Sequence, residues 1–149
     1  MSIRIVRLGT PRVSSEGLRL GTVRRPPRGV RKEDYAALNY FDVWLPELAP
    51  SAPLVSYALS EPFTPKRWVV YERRYRQEMK KPAASRLIAL LAALSSHTNF
   101  SIGCYCPDQD RCHRSILKQL LIAQGATVID SGLRLRCDTK ADKRNAPRC

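Results

Sequence analysis

The chain has 149 residues, a length that corresponds to one domain able to bury a hydrophobic core. Hydrophobic residues make up 44% of it and charged residues 26%, which excludes wholesale disorder, a collagen-like repeat and a disulfide-packed toxin. The longest apolar run, residues 87–94, is too short to cross a membrane, so we expect no membrane association, and we expect no secretory signal at the N-terminus.

The net charge of +13 is unevenly distributed along the chain. Residues 1–32 carry nine lysines and arginines against Glu16 alone, and residues 134–149 carry six against two aspartates. A basic field of this kind attracts phosphates, nucleic acid or anionic metabolites. Arginine predominates, and its planar guanidinium suits bidentate contact with a phosphate. General solubility is the other interpretation of the same charge.

Five cysteines form an odd set in a chain for which we expect no signal peptide. This favours reduced thiols and a cytoplasmic location over a closed disulfide framework. Three of them, Cys104, Cys106 and Cys112, lie within nine residues of each other, and this cluster is the most specific feature of the sequence.

The first half of the chain predicts two short strands separated by turns and loops. Residues 2–7 and 18–23 alternate in the manner of strands. The prolines and glycine of residues 24–29 predict a loop. Residues 32–41 are weakly helical, and residues 49–53 are interpreted as a connector.

Two helices are predicted in the middle of the chain. Thr64 followed by Pro65 is a typical helix start, with a hydroxyl N-cap and a proline in the first turn. An aromatic stripe at helical spacing follows within residues 68–79, and core packing is its simplest explanation. Residues 83–94 are apolar nearly all round, which predicts a helix buried against a sheet.

The last third of the chain alternates strand, helix and strand. Residues 99–104 predict a strand, and Asp110 is the expected cap of a helix over residues 111–124 that stops at Gly125. Residues 126–130 predict a last strand. The pattern indicates an α/β domain with a mostly parallel sheet and helices on its faces.

We assign residues 1–136 to this single domain and residues 137–149, which lack apolar periodicity, to a mobile basic tail. Ligands of such sheets settle beyond the carboxyl ends of the strands. The segment 104–114 leaves one of those ends and concentrates reactive side chains, so it is the expected site.

Several chemistries are open to this segment. If Asp110 caps the helix, Cys112, His113 and Arg114 occupy its first turn, where free N–H groups favour a phosphate and lower the pKa of a thiol. Cys106 with Arg111 five positions later has the spacing of sulfur-transfer loops.

Metal binding is a further possibility for the same segment. Four zinc ligands could come from Cys104, Cys106, Cys112 and His113. The spacing is not that of a standard zinc knuckle, and neighbouring residues on a helix diverge by about 100°. For Cys104 alone, a role as a small buried hydrophobe competes with all of these chemistries.

The combined motifs resemble DUF488, a domain-of-unknown-function family, and its YeaO-like branch, over about residues 1–125. Members carry a basic Pro-Arg-Gly loop followed by a Lys-Glu pair, a tryptophan segment ending in Ala-Pro-Ser, an arginine-rich helix with a tyrosine, and a strand cysteine followed by Cys-His-Arg. The matching positions here are residues 27–29, Lys32-Glu33, residues 44–51, residues 73–75, and Cys104 with Cys112-His113-Arg114.

The resemblance implies a small three-layer, Rossmann-like α/β fold with a shared pocket, and no established activity comes with it. Two positions depart from the family pattern. Val23 stands before Arg24 where relatives often have an acidic residue, and Cys106 stands where they often have glutamate. An acid–base mechanism that depended on those two carboxylates would therefore lack both of them in this chain.

We predict that the early basic loop and the late Cys-His-Arg segment meet around one cavity. The catalytic candidates are His113, Cys112 and Glu33; the ligand-binding candidates are Arg24, Arg28, Lys32, Tyr75, Cys104 and Arg114. Guanidinium groups beside a helix N-terminus suit a phosphate-bearing ligand, such as a nucleotide or a nucleic-acid end, and an imidazole can serve as acid or base.

Two other classes of protein fit the sequence. One is a nucleic-acid-binding accessory protein without catalysis, and the other is a zinc or thiol redox protein. No cofactor is predicted, with zinc as the alternative, and whether the protein is an enzyme stays open.

Overall fold

The sheet is built from short apolar segments that the chain brings together in parallel. The structure, a computed structural model, describes residues 1–130. Its strands are β1 (Ile3–Arg7), β2 (Leu18–Gly21), β3 (Val43–Trp44), β4 (Phe100–Cys104) and β5 (Val128–Asp130). All pairings are parallel, in the order β3-β2-β4-β1-β5. This confirms the small Rossmann-like α/β domain, and the four predicted strands are each present with slightly shorter bounds.

Four α-helices cover the sheet in the described part of the chain. They are α1 (Ala52–Ser60), α2 (Pro65–Met79), α3 (Pro82–Leu94) and α4 (His113–Ala123). None of the helices within residues 1–130 is long and apolar enough to cross a membrane. The predicted domain boundary at residue 136 and the predicted mobile tail, residues 137–149, lie outside the described residues.

The centre of the sheet is buried on both faces, as a parallel sheet requires. Ile5 of β1 lies opposite Ile102 of β4, and both are fully buried. All five residues of β4 are buried. Because β2 pairs with β4 in register, Gly21 lies beside Gly103, and the carboxyl ends of these two strands come together.

The start of α2 confirms the predicted cap. The Thr64 hydroxyl accepts a hydrogen bond from the Arg67 N–H, and Pro65 occupies the first helical position. Tyr71, Tyr75 and Met79 form its buried face.

The helix α3 is less buried than its composition predicts. Its inner face buries Ala84, Ile88 and Leu91, but Leu90 remains 53% exposed. The outer face is rich in alanine, whose small side chain exposes little apolar area, so an apolar sequence here does not require a second packing partner.

Two local predictions in the first half of the chain are wrong. The segment 49–53 is not only a connector, because Ser51 caps α1 and accepts a hydrogen bond from the Leu54 N–H. Pro53 lies in the first turn of that helix, where its missing N–H costs no intrahelical hydrogen bond. Residues 32–41 form only a short 3-10 turn over Lys32–Asp34, followed by turns.

The helix α4 begins later than predicted. Cys112, in an extended conformation, is its N-cap residue, and His113 is its first residue. Asp110 does not cap it; instead, the Asp110 N–H donates to the Asp108 side chain within the preceding turn. Gly125 ends the helix region in the left-handed conformation, at φ +87°, as predicted.

A buried ion pair joins the loop after β1 to the middle of the sheet. The Arg19 guanidinium donates to both Glu16 carboxylate oxygens, at 2.6 and 2.9 Å, and the Ser101 hydroxyl donates to the same carboxylate at 2.6 Å. Arg19 also donates to the carbonyls of Thr10 and Asn39. Burial by itself raises the pKa of Glu16, but the hydrogen bonds from Arg19 and Ser101 outweigh it and lower that pKa.

Replacing Glu16→Gln keeps the side-chain shape but leaves the Arg19 guanidinium buried without its counter-charge. We expect the free energy of unfolding, measured by urea denaturation at neutral pH, to fall by about 3 kcal/mol. The control is Asp34→Asn in the exposed Arg31–Asp34 pair, which should change it by less than about 1 kcal/mol. Equal effects of the two substitutions would contradict the structural role of the buried pair.

The same pair predicts a pH dependence of stability. The folded-state pKa of Glu16 lies below its ordinary value of 4.5. The ionised carboxylate therefore stabilises the fold fully above pH 4.5, and this stabilisation is lost as the pH falls through the folded-state pKa. The stability difference between wild type and Glu16→Gln should therefore narrow in acid. A difference that stays constant down to the acid-unfolding region would contradict this sign.

Candidate functional site

The candidate site lies at the carboxyl ends of β2 and β4, where the topology of a parallel sheet places ligands. Cys104 is the last residue of β4, Thr22 directly follows β2, and His113 begins α4. The Thr22 N–H and hydroxyl both donate to the Gly103 carbonyl, at 3.0 Å each. These bonds fix the first residue after β2 against β4.

A cavity of about 640 Å³ opens at this edge. Its cationic lining residues are Arg24, Arg25, Arg28, Arg67 and Arg111. No aspartate or glutamate of residues 1–130 lines it. Arg67 and Arg111 are ion-paired with Glu61 and Asp108, so the uncompensated positive charge of the lining is that of Arg24, Arg25 and Arg28.

Aromatic rings line another part of the cavity, and thiols line its inner end. The rings are Tyr57, Phe63, Trp68, Tyr71 and Tyr105, and the inner residues are Cys104, Cys106, Cys112 and His113. The cavity thus combines cations, aromatic faces and reactive groups.

Three thiols converge at the inner end. The Sγ atoms of Cys104, Cys106 and Cys112 all lie within 4.8 Å of one another. Cys104 and Cys112 are buried, whereas Cys106 is exposed. The Cys104 thiol donates to Cys106 Sγ at 3.6 Å. These three thiols could hold a metal ion.

The cluster favours one thiolate, on Cys112. Hydrogen bonds from Cys104 and then Cys106 lower the pKa of Cys112 far below its ordinary value, and the neighbouring His113 acts in the same direction, although burial opposes them. The hydrogen bonds of Cys104 with Cys106 and Cys112 correspondingly raise the pKa of Cys104. The protons of the cluster therefore remain on the two donors, and the negative charge settles on Cys112.

The His113 ring is held between Cys112 and Thr22. Its Nδ1 lies 3.6 Å from Cys112 Sγ, and its Nε2 lies 2.7 Å from the Thr22 carbonyl oxygen. A carbonyl oxygen only accepts, so we assign the ring proton to Nε2 and leave Nδ1 facing the thiol. Thr22 thus orients an imidazole toward Cys112, the arrangement of a nucleophile beside a base.

The structure brings five of the predicted site residues to this cavity: Arg24, Arg28, Cys104, Cys112 and His113. The Arg24 guanidinium is engaged with main-chain carbonyls of Pro46, Ala49 and Pro50, so it also anchors that segment. Arg28 is exposed at the cavity.

Two further predicted residues lie behind the cavity instead of lining it. Tyr75 is fully buried, donates to the Leu48 carbonyl at 2.7 Å, and packs its ring 5.5 Å from that of His113. Arg114 is buried and donates to the carbonyls of Val6 and Cys106. Both side chains support the reactive residues from behind.

Lys32 and Glu33 are not brought to the cavity. They are exposed in the 3-10 turn after the basic loop and are not among the lining residues. The roles predicted for them gain no support from their placement.

Sequence reasoning missed several lining residues. Arg25 is adjacent to Arg24 in the same basic loop, so the charge pattern contained a signal for it. Tyr57 lies on α1, which was not predicted. Trp68 begins the predicted aromatic stripe, for which core packing is a sufficient explanation, and Phe63 lies before the helix start, outside that stripe. Arg111 pairs with the Phe63 ring, its guanidinium carbon 4.3 Å from the ring centroid, a contact that only the fold reveals.

The comparison with known families identifies the family of this chain. Residues 3–125 match the family model described as the active DUF488-N3 subclade. The chain belongs to the DUF488 family. This confirms the resemblance seen in the sequence, and the matched range runs through the DUF488 domain from β1 to the end of α4. No curated protein and no solved structure matches the chain.

The lowered pKa of Cys112 leads to a spectroscopic prediction for this DUF488 protein. In metal-free protein with Cys137→Ser and Cys149→Ser, we expect ultraviolet thiolate absorbance at neutral pH that disappears with Cys112→Ser. Cys106→Ala should retain it but shift its onset to higher pH, because one hydrogen-bond donor to the thiolate is lost. Absorbance that rises only near the ordinary cysteine pKa of about 8.5 in every variant would contradict the assignment.

Proposed function

We propose that this DUF488 protein binds a phosphate-bearing ligand in the cavity and acts on it at the Cys112–His113 pair. The observation that carries the proposal is the composition of the cavity lining: arginines without a carboxylate, leading to a thiol beside an imidazole. The description of the matched subclade as active supports an enzyme rather than a passive binder.

Two of the arginines are available for ligand contact. Arg25 and Arg28 are exposed, and no ion pair or side-chain hydrogen bond within the described residues engages either guanidinium. Charge-assisted, bidentate contact with phosphate oxygens is the strongest hydrogen bonding open to such groups. Arg67 pairs with Glu61 and Arg111 with Asp108, so their charges are compensated. Arg24 bonds only to main-chain carbonyls, so its positive charge adds to that of Arg25 and Arg28.

The reactive pair lies at the inner end of the same cavity. Cys112 is the nucleophilic group, and Nδ1 of His113, held beside it by Thr22, accepts the proton that the Cys112 thiol gives up when it becomes a thiolate. The proposal includes a cytoplasmic location, because the three thiols must remain reduced for this arrangement to exist.

The first test is calorimetric titration with ribose 5-phosphate and with a short DNA oligonucleotide bearing a 5′-phosphate. The double variant Arg25→Ala/Arg28→Ala should bind either probe at least about tenfold more weakly, because two charge-assisted contacts are removed. The matched control is Arg86→Ala, an exposed arginine of α3 that does not line the cavity, and it should bind as wild type does.

Two outcomes would contradict the proposal. One is an equal effect of the control and the double variant. The other is oligonucleotide binding that depends steeply on salt and is unchanged in Cys112→Ala, His113→Ala and the arginine double variant. The second outcome would favour a nucleic-acid-binding accessory protein that acts through its overall charge.

A second candidate function is zinc binding, and the distances between the thiols favour it. Three thiolates on one tetrahedral zinc ion lie roughly 3.8 Å apart, since each Zn–S bond is about 2.3 Å. The Sγ atoms of Cys104, Cys106 and Cys112 already lie within 4.8 Å of one another. His113, the predicted fourth ligand, is not part of this group, so a water or a ligand from the cavity would complete the coordination.

Elemental analysis of the purified protein separates the two roles of Cys112. A zinc site predicts about one zinc ion per chain, lost in Cys106→Ser and in Cys112→Ser and retained in Cys149→Ser. Stoichiometric zinc would make Cys112 a metal ligand instead of a free nucleophile. Protein without zinc after purification and zinc titration would exclude this second candidate.

A further inference from the structure

One wall of the cavity is aromatic and extends from its rim inward. Phe63 lies in the loop between α1 and α2, and Trp68 and Tyr71 lie on α2. Trp68 stacks on Tyr71, with ring centroids 5.4 Å apart and 21° between the ring planes, and Phe63 packs on Trp68 at 6.3 Å. We call these three rings the aromatic ladder.

Exposure rises steeply toward the rim of the aromatic ladder. Tyr71 is 8% exposed, Trp68 is half-buried, and Phe63 is 45% exposed. Leu59, which also lines the cavity, is 80% exposed. The innermost ring therefore serves the core, Trp68 packs partly against the core, and Phe63 presents apolar surface to the cavity.

Cation–π contacts hold Phe63, the outermost ring of the ladder, and Tyr57, which lines the cavity as well. The guanidinium carbon of Arg111 lies 4.3 Å from the centroid of Phe63. Across the same lining, the guanidinium carbon of Arg67 lies 4.2 Å from the centroid of Tyr57. Such cation–π contacts order exposed rings before a ligand arrives, so less conformational entropy is lost on binding.

A phosphate group alone would use only half of this cavity. Phosphate oxygens pair with guanidinium groups, but they gain nothing from the aromatic ladder. Arg111 covers one face of Phe63, but the ring remains 45% exposed. A planar heterocycle packed against that exposed surface and against Trp68 would cover apolar area. The volume of about 640 Å³ is that of a site for a ligand carrying both parts.

We propose that the ligand is a nucleotide whose base stacks on Phe63 and Trp68 while its phosphate meets Arg25 and Arg28. This inference rests on the proposed function, because it assigns the second half of the same ligand. Stacking accepts the π-face of any base, so the four bases should differ little in affinity.

The test compares AMP with ribose 5-phosphate by calorimetric titration, because ribose 5-phosphate has the same sugar and phosphate with a hydroxyl in place of the base. AMP should bind at least about tenfold more tightly. Phe63→Leu should weaken AMP binding about tenfold and leave the affinity for ribose 5-phosphate unchanged. Phe63→Tyr keeps the ring, and Val69→Ala alters an exposed residue of α2 that does not line the cavity, so both should bind AMP as wild type does.

The possible failures are distinguishable. Equal affinities for AMP and ribose 5-phosphate, both lost with Arg25→Ala/Arg28→Ala, would overturn the assignment of the base and leave the proposed function intact. Equal weakening of both ligands by Phe63→Leu would also overturn it, because the ring would then act on the whole cavity. Absence of binding by either compound would overturn both proposals.

Discussion

The parallel pairing of β2 with β4 is the constraint from which the site follows. It places Thr22 against the Gly103 carbonyl, and Thr22 in turn fixes Nε2 of His113. Without this pairing, no hydrogen bond to Thr22 would fix the tautomer of the imidazole or orient the ring toward Cys112. A main-chain contact between strands distant in sequence therefore determines the chemistry of a helix N-terminus.

Periodicity and caps made much of this fold predictable. The alternating apolar residues of β1 and the Thr64-Pro65 start of α2 are local signals, and the structure confirms both. The start of α1 was misjudged because a proline has opposite meanings inside a helix and in its first turn. The start of α4 was misjudged because Asp110 bonds within its own turn, which composition does not reveal.

The candidate site was only partly predictable, for a different reason. The meeting of the basic loop with the Cys-His-Arg segment follows from parallel strand ends, and Arg28 and His113 do line one cavity. Lys32 belongs to the same basic stretch but lies past a turn that carries it away from the cavity. Long-range packing determines the direction of a side chain that follows a loop. A local sequence pattern therefore does not predict that direction.

The thiols of the site are also part of a packing unit. Cys104 and Cys112 belong to a buried cluster with Leu8, Val23 and Phe41. The sulfur atoms that would react or bind metal therefore fill space that the domain needs for its own cohesion. A substitution at either cysteine therefore changes both the reactive group and the packing at this edge of the sheet.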